Sequence, residues 1–212
     1  MGERVPQLKW VVATQNQDKL REIRTIFAGF PVTLLELKEF PHIGTIEETG
    51  TTLQENALLK ARTVHQALGY PAVADDTGLE VDALGGAPGI YTARFAGPRA
   101  TYRQNQDQLL TLMQTIPTQN RVARFRTCAA YVDDSQEIVA EGVVEGHITR
   151  EPLGNHGFGY DPVFLVEDTG RTFGQMTHGE KQNYSHRSRA FKALHRLLIQ
   201  SLPIIKGKET AA

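Results

Sequence analysis

The feature that most restricts how this chain can fold is an alternation, begun near its N-terminus, between short apolar runs of strand length and longer segments of helical period. Lys9 to Ala13 reads as a short buried strand, Thr14-Gln15-Asn16-Gln17 as a polar turn, and Asp18 to Phe27 as a helix. Leu20, Ile23, Ile26 and Phe27 form that helix's apolar face, and Asp18 is placed to cap it. Val32 to Leu37 then returns as a second strand. A strand, loop, helix and strand in this order is the unit from which sheets with flanking helices are built.

The pattern continues along the chain. Thr52-Leu53-Gln54-Glu55 has the spacing of a capping box and opens a helix reaching about Leu68. Ala72-Val73-Ala74 is a short strand whose end is expected to carry Asp75-Asp76-Thr77-Gly78, and Gly85 to Gly89 marks a tight loop. A helix is expected from about Thr101 to Ile116. Arg121 to Val132 and Glu137 to Ile148 form a long hairpin about Asp133-Asp134-Ser135, expected as a second lobe around residues 121–148. The Gly-rich stretch Gly154 to Asp161 leads into a strand at Val163-Phe164-Leu165, and a last helix runs from about Ser185 to Gln200. The tail from Lys206 to Ala212 is expected to fray.

Composition narrows the function classes. The 212 residues are 40% hydrophobic and 22% charged, the usage of one globular domain. Lys and Arg number 23 against 24 Asp and Glu, so a net charge of -1 supplies no global field for nucleic acid or an anionic membrane. Cys128, the single cysteine, excludes an intrachain disulfide and reads as a small buried hydrophobe. No stretch approaches a membrane-spanning length, and the N-terminus lacks the apolar run of a signal peptide. A cytoplasmic protein making no membrane contact is the expectation.

Five segments carry chemistry. The strand-to-helix loop Thr14, Gln15, Asn16, Gln17, Asp18 and Lys19 offers helix N-terminal amides and a cation to an anion, without the glycines of a Walker loop. Asp75 and Asp76 can aim oxygen at a hard cation; adjacent side chains on a strand diverge, so one acid ligates and the other turns elsewhere. Glu47 and Glu48 supply a second carboxylate. Gly157-Phe158-Gly159-Tyr160-Asp161-Pro162 combines aromatic faces with glycines that let a planar ligand approach, and Phe158 and Tyr160 are candidates to stack a base. Lys181, His186 and Arg187 gather cations at a helix start, where the dipole opposes them unless an anion or keto oxygen is bound. Each segment also has a plain reading: a capped surface helix, an Asx turn, a solvated acidic loop, a core aromatic turn, solvated charges.

In this order, the segments resemble the inosine triphosphate pyrophosphatase family, also described as dITP/XTP pyrophosphatases. The resembling stretches are Val12-Ala13-Thr14 with Asn16 and Lys19, Glu48-Thr49-Gly50 with Glu55-Asn56-Ala57, Ala74 to Leu79, Gly85 to Tyr91, Gly157 to Pro162, and Glu180-Lys181 with Ser185-His186-Arg187. The resemblance implies a homodimer that hydrolyses ITP, dITP and XTP to the monophosphate and pyrophosphate with Mg2+, using a small-molecule nucleotide and no nucleic acid. It implies that Thr14 to Lys19 hold the triphosphate, that Glu48 and Asp76 bind metal with Asp76 as general base, and that Thr77 touches substrate. Phe158, Gly159, Tyr160 and Asp161 would clasp the base, with Lys181, His186 and Arg187 on the nucleotide and Arg187 donating to the 6-oxo group. The expected architecture is a single α/β domain, with α+β as the alternative: a mixed twisted sheet with flanking helices in two lobes and the active site in the cleft between them.

Three residues depart from the family's pattern: Gln15 for Gly, Gln175 for Glu, and Ser188 for Gly. Gln15 stands within the phosphate loop and motivates one alternative, a nucleotide-binding module without turnover; a second alternative is a metal phosphohydrolase acting on another modified nucleotide.

Overall fold

Short-range pattern and capping account for most of the elements in the computed structural model, which describes residues 8–201. The expected frayed tail at Lys206 to Ala212 lies outside the described residues. β1 (Leu8–Val12) lies parallel to β2 (Val32–Glu36), with Trp10 opposite Leu34, and α1 (Gln17–Ile26) connects them. β1 also pairs in parallel with β3 (Ala72–Val81), Val11 opposite Ala72. α2 (Leu53–Leu68) begins where Thr52 Oγ1 accepts the Glu55 amide at 3.0 Å. It ends at Gly69, whose φ of 68° allows the left-handed turn that returns its N–H to His65.

β4 (Pro88–Gly89) runs antiparallel to β3, and α3 (Tyr102–Leu112) starts with a reciprocal capping box between Thr101 and Gln104. β5 (Val122–Val132) and β6 (Glu137–Ile148) follow, then β7 (Phe164–Val166), β8 (Arg171–Thr172), α4 (His178–Tyr184) and α5 (His186–Ser201). The strand order is β2-β1-β3-β5-β6-β7-β8, with β4 on β3. Parallel and antiparallel pairs coexist, so the expected mixed α/β sheet with flanking helices is borne out.

The described chain divides into two units. The first comprises residues 8–75, 128–141 and 190–201, the second residues 76–127 and 142–189, so the division passes through β3 between Asp75 and Asp76 and through α5 between Arg189 and Ala190. Each has its own core. In the first, Trp10 meets Phe27 and Tyr131 edge-on at 5.8 and 5.0 Å, and Phe27 meets Phe191 at 5.7 Å. In the second, Phe125, Phe164 and Phe173 pack with Leu79, Val81, Leu109, Met113 and Ile148. Burying one such side chain contributes about 1.5–3 kcal/mol, so separate cores give each unit its own source of stability.

A buried cation organises the second unit. Arg121 is 2% exposed, and its guanidinium donates to the carbonyls of Met113, Ile116, Ile148 and Thr149. Burial, with Arg150 nearby, moves its pKa below the usual arginine value.

The structure corrects several local expectations. Asn16, not Asp18, caps α1: its Oδ1 accepts the amides of Asp18 and Lys19 at 2.9 and 3.1 Å, and its extended backbone leaves Asp18 inside the first turn. Asp75 and Asp76 stand mid-strand, because ladder pairing carries β3 through the Asp-Asp-Thr-Gly segment that locally reads as a turn. α3 stops at Leu112, with Met113 as its C-cap. α4 was not anticipated, although Thr177 and Glu180 form a full capping box before it.

Candidate active-site residues

In the first unit, the loop between β1 and α1 is closed by its own side chains. Thr14 Oγ1 accepts the Asn16 amide at 3.2 Å, and Asn16 Oδ1 accepts those of Asp18 and Lys19, so three amides at the helix start are held by the loop's own side chains. Gln17 begins α1, and Asp18 accepts from Arg21 at 3.3 Å. Lys19 lies 3.2 Å from Asp75 Oδ2, and the Asp75 side chain is fully buried. Asp75 therefore turns toward the loop and holds its lysine. Gln15 Nε2 donates to the Gly44 carbonyl at 2.7 Å, bridging this loop to the segment that leads to the acidic residues; Thr14, Gln15, Gln17, Phe40 and Gly44 line a pocket of about 340 Å³ there.

Glu48 accepts from Lys60 Nζ of α2 at 2.5 Å, whereas Glu47 is exposed. The loop carrying them is fastened by Asn56, fully buried on α2, whose Oδ1 accepts the Gly50 amide at 2.8 Å. A side chain at residue 50 would bring its Cβ 2.7 Å from both Asn56 Oδ1 and Glu55 Cβ, so glycine is needed for this approach.

In the second unit, Asp76 is 5% exposed and its Oδ1 accepts the Thr77 amide at 2.9 Å. Thr77 Oγ1 receives a hydrogen bond from Arg187 Nη2 at 3.0 Å and lies 2.7 Å from Thr127 Oγ1, which is 2.7 Å from His186 Nδ1. Arg187 and His186 open α5, where Ser185 Oγ accepts the Ser188 amide at 3.1 Å. The His186 ring stacks on Phe125 at 4.5 Å and meets Phe173 edge-on at 6.2 Å.

The aromatic turn divides its expected roles. Phe158 is half-buried, with Lys181 Nζ 4.7 Å and the Arg187 guanidinium carbon 5.6 Å from its ring centroid. Tyr160 does not offer a stacking face. It is 3% exposed within the core and donates its hydroxyl to the Thr92 carbonyl at 3.0 Å; burial raises its pKa. The Gly-x-Gly setting suggested two presented aromatics, but the chain folds back so that only Phe158 is left partly open. Gly159 contributes its carbonyl to Gln106 Nε2 at 2.5 Å. Asp161 accepts from the Phe158 amide at 2.8 Å and from Lys181, so its carboxylate shapes the turn and anchors that lysine. At Gly157, φ is 72° and a Cβ would sit 1.9 Å from Asp161 Oδ2; only glycine permits this closure.

Cys128 is fully buried on β5, as expected for a small core residue. Among the described residues there is no group of three or more His, Cys, Asp or Glu side chains able to hold a metal ion. No helix there is long and apolar enough to cross a membrane. Thr127 was missed from sequence: it sits inside an alternating strand and looks like any β-branched strand residue.

The fold and this set of side chains define a mixed α/β chain with a capped β1–α1 loop and a polar cluster at the start of its last helix. The Ham1 family model matches residues 10–197, and the chain belongs to the Ham1 family. It is 43% identical over 195 residues to the dITP/XTP pyrophosphatase of Thermoanaerobacter sp. (strain X514), covering 92% of this chain and 98% of that protein. Identity to the dITP/XTP pyrophosphatase of Shigella flexneri is 44% over 189 residues, with 88% and 95% covered. Among solved structures, a HAM1 protein from Coxiella burnetii matches with a TM-score of 0.83 at 37% identity, covering 91% of this chain and 99% of that one. The Staphylococcus aureus Ham1 protein matches with a TM-score of 0.81 at 35% identity over the same shares.

Proposed function

We propose that this chain hydrolyses the aberrant purine nucleoside triphosphates ITP, dITP and XTP to the nucleoside monophosphate and pyrophosphate. Membership of the Ham1 family, with relatives named dITP/XTP pyrophosphatases at 43–44% identity along most of the chain, supports the reaction. The observation that carries the substrate class is the polar cluster beside Phe158. A half-buried ring flanked by Lys181 and Arg187, with His186 beside Arg187 at the start of α5, is suited to a flat base bearing keto oxygens. Arg187 has only donors, so it accepts a 6-oxo group and opposes an amino group.

In this reading Asp76 is the general base. It takes a proton from water as the water oxygen bonds to the α-phosphorus and the bond to the bridging oxygen breaks, leaving pyrophosphate and the monophosphate. Glu48 and Asp76 carry the hard carboxylate oxygens that Mg2+ takes and would hold it, with phosphate oxygens and water as further ligands. When bound, the ion would offset charge developing on the phosphates. Thr14 to Lys19 would hold the triphosphate, with Lys19 as its cation and Asp75 holding that lysine. Thr77 would contact substrate while linked to Arg187. Phe158, Gly159 and Asp161 would frame the base, Tyr160 acting through the core. The protein would work as a homodimer in the cytoplasm, the former checked by sedimentation.

A panel of ITP, XTP, ATP and GTP with Mg2+ tests the reading. Pyrophosphate is expected preferentially from ITP and XTP, and Asp76→Asn is expected to lower kcat by roughly 10²–10⁴-fold, the usual contribution of a general base. Equal turnover of all four nucleotides, or an Asp76→Asn protein of full activity, would overturn it.

A further inference from the structure

The turn from Gly157 to Pro162 carries two aromatics in its sequence but offers only Phe158, because Tyr160 is committed to the core. A second ring reaches Phe158 from elsewhere in the same unit. Tyr102, the first residue of α3, has its ring centroid 5.9 Å from that of Phe158, with the two planes inclined at 44°. It is 42% exposed, and nothing in the proposed reaction uses it.

An exposed tyrosine alone indicates nothing, since single surface aromatics are common. What distinguishes this one is how firmly its place is set. The helix start is fixed by Thr101 Oγ1, which accepts the Gln104 amide at 3.2 Å, and by Gln104 Oε1, which accepts the Thr101 amide at 2.8 Å. One turn on, Gln106 donates to the Gly159 carbonyl at 2.5 Å; residues 102 and 106, four apart, lie on one face of α3, and both meet the aromatic turn. Asn105, 2% exposed, ties the helix to the segment whose Thr92 carbonyl holds Tyr160: its Nδ2 donates to the Ala93 carbonyl at 3.0 Å and its Oδ1 accepts the Ala96 amide at 2.8 Å. The start of α3 is therefore braced twice against the surroundings of Phe158.

We infer that Tyr102 supplies the second aromatic surface for the base of the nucleotide, an assignment that rests on the proposed function. Phe158 is half-buried and has Lys181 Nζ at 4.7 Å and the Arg187 guanidinium carbon at 5.6 Å over its ring, so Tyr102 has the more open ring of the pair. Two rings already in contact leave no slot between them. Inclined to one another they form a corner, and a base lying along it rests its face on Tyr102 with its keto edge toward the cations over Phe158. The two contacts do different work. A guanidinium separates keto from amino groups because it has only donors, whereas stacking tolerates any base because every base has a π-face. Tyr102 thus serves affinity for the nucleotide, and selection stays with the cations. A contact made equally in the ground and transition states moves KM and leaves kcat alone.

The test joins steady-state kinetics to a binding readout that needs no turnover. Tyr102→Ala is expected to raise KM for ITP and XTP alike, roughly tenfold, the scale of one lost stacking contact, with kcat within about twofold. Tyr102→Phe keeps the wild-type KM, while Tyr102→Leu, which has apolar bulk and no π-face, behaves as Tyr102→Ala does. In Tyr102→Trp, tryptophan fluorescence is expected to be quenched by IMP and not by ribose 5-phosphate. The wild-type chain, whose single tryptophan is Trp10 in the core of the first unit, is the blank. An unchanged KM in Tyr102→Ala, a wild-type KM in Tyr102→Leu, or a Tyr102→Trp protein that does not distinguish IMP from ribose 5-phosphate each overturns the inference. Quenching specific to IMP in a protein whose wild type does not hydrolyse ITP would sink the proposed function and leave the base contact standing. Preferential ITP hydrolysis without that quenching would do the reverse.

Discussion

The starts of α1 and α5 both carry residues expected to meet the nucleotide, and they are built in opposite ways. At α1 the cap is local: Asn16 accepts the amides of Asp18 and Lys19, and Lys19 is drawn to Asp75. At α5 the first two side chains are almost fully buried, and the atoms that orient them come from distant strands, Thr77 on β3 and Thr127 on β5. A locally capped start can be read, and repaired, within a few residues. One oriented from afar depends on the whole second unit being folded.

The sharpest way to break this contrast is at Arg187. Arg187→Ala removes a 1%-exposed cation from Thr77 and from the Phe158 face, and kcat/KM for ITP is expected to fall by roughly 10²-fold or more, in line with the loss of a buried, hydrogen-bonded charge. Steady-state kinetics on ITP check it. Lys19→Ala at the other helix leaves Asp75 buried without its 3.2 Å ion partner, so chemical denaturation should show a loss of about 3 kcal/mol in stability in addition to weaker substrate binding. Asn16→Ala removes a cap and is expected to lower stability by about 1 kcal/mol, measured the same way, with the second unit's contacts unchanged. Gln15→Gly removes one exposed hydrogen bond to Gly44 and should alter stability by less than about 1 kcal/mol; a large change in KM for ITP would show that this bridge sets the phosphate loop.

The smallest effect belongs to α4, whose start is local like that of α1. The hydrogen bond from Arg171, followed by those from Thr177, holds the Glu180 carboxyl down at about 2, against an ordinary value of 4.5. Because the folded value is depressed, this contribution is present above pH 4.5 and is lost as pH falls toward 2. The protection of the Thr177 amide, its exchange rate taken relative to the intrinsic rate at each pH, should fall across that window as the pH drops, with Glu180→Gln showing no such change over the same range.

The same contrast explains what could be read in advance. α2 was legible because Thr52 and the apolar spacing from Leu53 are local signals. The β5–β6 turn was legible because Asp133 and Ser135 make an Asx turn, Asp133 Oδ1 accepting the amides of Ser135 and Gln136. The full length of β3 was not, since Asp75 to Gly78 are turn-forming residues held extended by neighbouring strands. Among the site residues, the Lys19 partner of Asp75 was not legible, because it stands 56 residues away in sequence. Nor were Tyr160 as a core residue and Thr127 as a link, because their partners, Thr92 and His186, are far away in sequence.

Arg121 gathers carbonyls from both ends of the β5–β6 excursion, Met113 and Ile116 before it, Ile148 and Thr149 after it. In a chain with one cysteine, it performs the closure that a disulfide would perform elsewhere, and no reductant can open it. The likeness ends at denaturation. A disulfide restricts the unfolded chain, whereas this clasp vanishes with the fold and leaves the unfolded ensemble untouched. Its hydrogen bonds therefore disappear together when the hairpin base opens, which ties the melting of that base to the loss of the core around it.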